Sequence, residues 1–65
     1  AMTGPEFKAA RERLGLTAEA LALLLGYTRG RATVYDIEAR AEVTGPVAVL
    51  MRVYLDGYRP ADWPT

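Results

Sequence analysis

Apolar residues along this chain recur at helical spacing and are punctuated by glycine and proline, with no alternating run that would mark a strand. Phe7, Ala10 and Leu14 form one such stripe. Ahead of it stands Thr3-Gly4-Pro5-Glu6, a helix start with Thr3 or Gly4 as N-cap. Pro5 falls in the first turn, where its missing N–H is harmless, and Glu6 lies near the positive helix end. Gly15 stops this first helix. Thr17 caps a second, in which Leu21, Leu24 and Leu25 face the core and Gly26 closes a run of about ten residues. A third helix is predicted from Arg31 to about residue 41, with Val34 and Ile37 inward and Gly30 or Thr28 as its cap. After a loop over 42–45, Pro46 opens a fourth that runs through Asp56. Val47, Leu50, Met51 and Tyr54 share one of its faces, and Gly57 ends it. The expected fold class is all-α, a small bundle of four to five short helices.

Short helices joined by glycine turns pack at steep angles. Leu21-Ala22, Gly26, Thr33-Val34 and Ile37-Glu38 matter most here. Glycine starts the turn, and a small alanine lets the next helix approach closely. A helix held in this way protrudes from its domain and has the shape to enter a DNA major groove. Val49, Val53 and Leu55 broaden the apolar surface of the fourth helix beyond one stripe, which points to a partner surface. The tail from Tyr58 to Pro64 carries two prolines and cannot continue as helix, yet it holds the only Trp. Trp63 is therefore expected to dock on the fourth helix or on a second subunit. Val49, Val53, Tyr54, Tyr58 and Trp63 make up the expected dimer interface.

Length and composition narrow the classes. The 65 residues make one domain, which buries only ~60% of the surface its unfolded chain exposes. There is no Cys and no His, hence no disulfide, no Cys/His metal site and no imidazole base. Helix packing and self-association remain as supports. The longest apolar run, Ala20 to Leu25, is far too short to span a bilayer, and no basic start leads into an apolar signal core. A cytoplasmic location is expected, with Met2 as the natural start. Eight basic and eight acidic residues cancel, which weakens any non-specific grip on phosphates. Between Ala20 and Tyr35, however, the only charges are Arg29 and Arg31. The segment best placed to touch DNA is locally basic.

At this point the chain resembles the Cro-like, phage-repressor (XRE-type) helix-turn-helix family, through Arg11-Glu12-Arg13-Leu14-Gly15-Leu16-Thr17, Leu21-Ala22, Gly26, Val34 and Ile37-Glu38. The likeness covers roughly residues 5 to 55. It implies a lambda-repressor-like bundle in which the second and third helices, about 17–41, form the DNA-binding unit. It also implies a dimer on a palindromic operator, and an ion pair between Arg11 and Glu38 that joins two helices. Two features depart from the family pattern. Arg29-Gly30 lengthens the turn by two residues, which shifts the register of the third helix, and Ala18 stands where the family carries a phosphate-touching Gln.

The candidate site residues follow. Arg31, at the start of the third helix, offers two N–H donors to guanine O6 and N7, with phosphate contact or a solvated surface role as the alternatives. Arg29 is a phosphate clamp or an idle surface charge. Ala32, Tyr35, Asp36 and Ala39 lie opposite Val34 and Ile37, on the face DNA would meet. Ala32 suits a thymine methyl, and Tyr35 suits a methyl, a phosphate or a bracing role. Asp36 is repelled by phosphate unless it accepts from cytosine N4 or orients Arg40 four residues on, and the Asp36–Arg40 pair is the preferred reading. Thr33 donates to phosphate or bonds within its own helix. Thr17 caps the second helix while the free N–H groups there can hold a phosphate.

Catalysis is not expected: no hydroxyl has a His beside it, Lys8 is the only lysine, and Gly26 to Gly30 lacks the Lys-Ser/Thr ending of a phosphate loop. No cofactor, metal, small-molecule ligand or membrane partner is expected either. The leading expectation is a sequence-specific double-stranded DNA-binding transcriptional regulator, of the kind small phage or mobile-element repressors represent. The alternative is a protein–protein interaction module, antitoxin-like or an adaptor subunit, that keeps the bundle.

Overall fold

The computed structural model describes residues 2–64 and contains four helices: α1 (Gly4–Arg13), α2 (Ala18–Leu25), α3 (Arg31–Glu38) and α4 (Pro46–Leu55). No strand occurs among the described residues. One isolated antiparallel bridge joins Met2 to Val43, with the Val43 N–H donating to the Met2 carbonyl at 2.6 Å. It ties the start of the chain to the α3–α4 loop. The bundle is all-helical, as the periodicity requires.

Local chemistry sets each helix end. Thr3 is the N-cap of α1 and forms a complete capping box: the Glu6 N–H donates to Thr3 Oγ1 at 3.1 Å, and the Thr3 N–H donates to Glu6 Oε1 at 2.8 Å. Thr17 caps α2, accepting from the Ala20 N–H at 3.1 Å. Gly26 closes α2 in the left-handed conformation (φ 80°), which a Cβ would disfavour. The Tyr27 N–H then reaches back to the Ala22 carbonyl at 3.0 Å and turns the chain toward α3. Gly30 precedes α3 with no side-chain cap, and the helix ends at Glu38, shorter than the expected reach to about residue 41.

The Thr3–Glu6 exchange carries a pH consequence. Hydrogen bonds from the Thr3 backbone and then its side chain hold the Glu6 carboxyl below its ordinary 4.5. The unfolded chain therefore binds the proton more readily than the folded one. The contribution is present above the unfolded value and is lost as pH falls through the lower folded value. Glu6→Gln, which removes the titrating carboxylate and leaves the Thr3 cap in place, is expected to destabilise the fold at neutral pH and to have a smaller effect in acid, a difference readable from urea unfolding at the two pH values. An equal effect at both would show that the carboxylate contributes nothing.

α2 packs chiefly on α3, while α1 contacts both α3 and α4. Phe7, Leu21, Val34, Ile37, Val43 and Met51 are the largest fully buried side chains and come from all four helices and the α3–α4 loop. Ala22 is fully buried as well, which permits close approach of the next helix. Leu14, Leu24 and Leu25 line the core edge half-buried. Among the described residues the buried side chains are apolar apart from the Tyr54 hydroxyl, and no buried side-chain nitrogen or oxygen lacks a hydrogen-bond partner.

The tail after α4 folds back on the helix. Trp63 packs edge-on to Tyr54 with ring centroids 5.1 Å apart, and the Arg59 guanidinium lies 4.3 Å over the Trp63 ring. Arg59 Nη1 also donates to the Tyr54 and Tyr58 carbonyls at 2.8 and 2.9 Å, satisfying the open end of α4. Tyr54, one of the expected interface residues, is therefore buried in its own chain, while Trp63 packs on it and stays half-buried. Tyr54 is only 3% exposed, and burial, followed by Asp62 and Tyr58 nearby, raises its hydroxyl above the ordinary 10.0. Trp63 covers Tyr54, so it is engaged in its own subunit. Val49, Val53 and Tyr58 remain open to solvent.

Candidate nucleic-acid interface

α3 is anchored by Val34 and Ile37, which are 0% and 1% exposed. The helical period then turns Arg31, Ala32, Tyr35 and Asp36 outward, and all four are exposed. Tyr35 in particular is 52% exposed, so it does not brace the helix from within. Thr33 is half-buried at the edge of this face, and Ala39 is exposed just past the helix end.

The charges around α3 are arranged differently from expectation. Asp36 is approached by Arg29 Nη1 at 4.0 Å, with both side chains largely exposed. The preferred Asp36–Arg40 pair is absent. Its four-residue spacing requires both partners on one continuous helix, but α3 stops at Glu38 and Arg40 lies in the following turn. There the Arg40 N–H bonds to the Ile37 carbonyl at 3.1 Å, and the Arg40 carbonyl accepts from the Gly4 N–H at 3.0 Å. The longer turn that carries Arg29 supplies the replacement. At this length and exposure the Arg29–Asp36 contact contributes little. Arg29, Arg31 and Arg40 thus stand exposed around α3, with Asp36 on the helix and Glu42 in the following loop as the exposed carboxylates.

Glu38 belongs to a different arrangement. Arg11 Nε donates to Glu38 Oε2 at 2.7 Å, with side chains 12% and 9% exposed. Arg11 Nη1 donates in addition to the Leu16 carbonyl at 3.0 Å. One guanidinium therefore joins α1, the α1–α2 turn and the end of α3. It neutralises Glu38 and fixes the angle of the outward helix. The Leu16 carbonyl has no sequence signal, since any residue there offers one.

Thr17 sits exposed at the α2 N-terminus, with its hydroxyl oxygen already engaged by the Ala20 N–H. Ala18, beside it, is 4% exposed. Its side chain is in the core and makes no outward contact. Among the described residues no group of three or more acidic side chains could hold a metal ion, and no helix is long and apolar enough to cross a membrane. No family model, curated protein or solved structure matches the chain.

Proposed function

We propose that this chain is a sequence-specific double-stranded DNA-binding regulator, a small cytoplasmic repressor that works as a homodimer on a palindromic operator. The observation that carries this reading is α3 itself. Its inner side is locked by Val34 and Ile37, while Arg31, Ala32, Tyr35 and Asp36 face solvent. In the proposed complex Arg31 reads guanine, Ala32 and Tyr35 meet thymine methyls, and Asp36 accepts from cytosine N4. Arg29, Arg40, Thr33 and the Thr17 end of α2 hold the phosphates. The exposed Val49, Val53 and Tyr58 form the self-association face, which would set two reading helices ~34 Å apart.

Two measurements test this. Affinity for random-sequence duplex is expected to fall steeply with salt, because phosphate neutralisation releases counterions. Selection from a random duplex pool then supplies the operator. On it, Arg31→Ala is expected to weaken binding by roughly 1–3 kcal/mol and relax preference at one base pair, with the melting temperature unchanged. Unchanged affinity would show that Arg31 does not read a base.

The second reading, an adaptor-type protein-binding module, is favoured by the zero net charge and by the exposure of Val49, Val53 and Leu23 on other faces than α3. A chain of that kind would bind no duplex at low salt.

A further inference from the structure

Away from α3, α1 and α4 enclose an open apolar groove. Two hollows of about 250 and 210 Å³ adjoin there, sharing Ala10 and Leu55 as their floor, with Met2 in one and Ala9 in the other. Arg52 flanks the first and Arg13 the second. Both guanidiniums are exposed and neither has an ion-pair partner among the described residues. The one carboxylate in the groove, Glu6, lines both hollows and stays ionised while accepting from the Thr3 N–H at 2.8 Å, so the two arginines outnumber it and leave the lining positive. The groove therefore offers a short apolar floor between two unpaired arginines.

We infer that this groove docks an acidic amphipathic peptide segment of another protein, whose apolar side chains fill the two hollows and whose carboxylates pair with Arg13 and Arg52. Planar guanidinium forks match carboxylates with two parallel hydrogen bonds, so each arginine selects charge and direction. Two cations at separate points demand two carboxylates, which a fatty acid does not carry. No residue of α2 or α3 lines the groove, nor do Val49, Val53 or Tyr58. Met2 and Arg52 also line a neighbouring hollow that reaches Val49, so such a partner borders the proposed self-association face but leaves the reading helix free, and the inference stands independently of the DNA reading.

The test uses the whole chain, isotopically labelled for NMR, titrated with a synthetic peptide of about fifteen residues, long enough to form a helix on binding, with a leucine stripe flanked by glutamates. Saturable shifts are expected at Ala9, Ala10 and Leu55. A lysine-for-glutamate version of the peptide is expected not to bind. Arg13→Gln with Arg52→Gln is expected to weaken the glutamate peptide by at least about fivefold. Arg13→Glu with Arg52→Glu is expected to transfer binding to the lysine peptide. Equal binding of both peptides, no saturable shift, or shifts confined to the Val49–Val53 face would overturn the inference. So would laurate that occupies the groove while the peptide does not.

Discussion

Glu38→Ala is expected to lower the unfolding free energy by about 3 kcal/mol or more, because it leaves the Arg11 charge without its partner in a largely dry site. The guanidinium keeps its bond to the Leu16 carbonyl and cannot leave without breaking it. The contacts of Arg11 span α1, the α1–α2 turn and α3, so the damage does not stay at one helix. For a domain of this size the loss corresponds to a fall in melting temperature of more than about 10 °C, measurable by circular dichroism. Replacing both partners with methionine is expected to cost less than the single change, since no charge is then stranded. If Glu38→Ala melts with the wild type, the pair is ornamental, and the angle of α3 has another source. In the proposed complex, operator affinity would fall with Glu38→Ala even where the variant is still folded, because α3 would lose its fixed setting.

The second large effect concerns Gly4, and its direction runs against helix propensity. Alanine at an ordinary helical position is favoured over glycine by up to about 1 kcal/mol. At Gly4 an added Cβ would collide with the carbonyl oxygens of Arg40 and Glu38. These are backbone atoms that cannot swing aside, and the Gly4 N–H is itself bonded to the Arg40 carbonyl at 3.0 Å. Gly4→Ala is therefore expected to destabilise by about 3 kcal/mol, the upper end of typical overpacking. Thermal melting checks the magnitude, and amide shifts of residues 38–41 check the location. A stabilised variant would mean that α1 and the turn after α3 are farther apart than described.

Gly4 illustrates where sequence reasoning reaches its limit. In the sequence it reads as one of two candidate caps, and Thr3 takes that role through a box visible in the spacing of Thr3 and Glu6. Nothing near Gly4 in the chain indicates that the end of α3 will lie against it. The Asp36 partner is a related case. The four-residue rule favours Arg40 only while the helix lasts, and α3 ends two residues too early. The tail divides the same way: its aromatic and proline content requires docking of some kind, and only the folded chain shows Trp63 on Tyr54 of its own α4. Arg11 and Glu38 were reachable through family likeness, whereas the Leu16 carbonyl between them was not.

Helix positions, their glycine stops and the inward face of α3 were decided within a few residues of chain, whereas α2 buries Ala18, Leu21 and Ala22 and leaves Leu24 and Leu25, expected to face the core, half-buried. Capping, left-handed closure and helical period act between neighbours and are therefore written in local order. Only the folded chain decided which distant groups meet: Gly4 against the α3 end, Arg29 beside Asp36, Arg59 over Trp63, and Arg13 and Arg52 across one groove. Those meetings depend on the angles between packed helices, and such angles arise from the shape of the whole core rather than from any single stretch of residues.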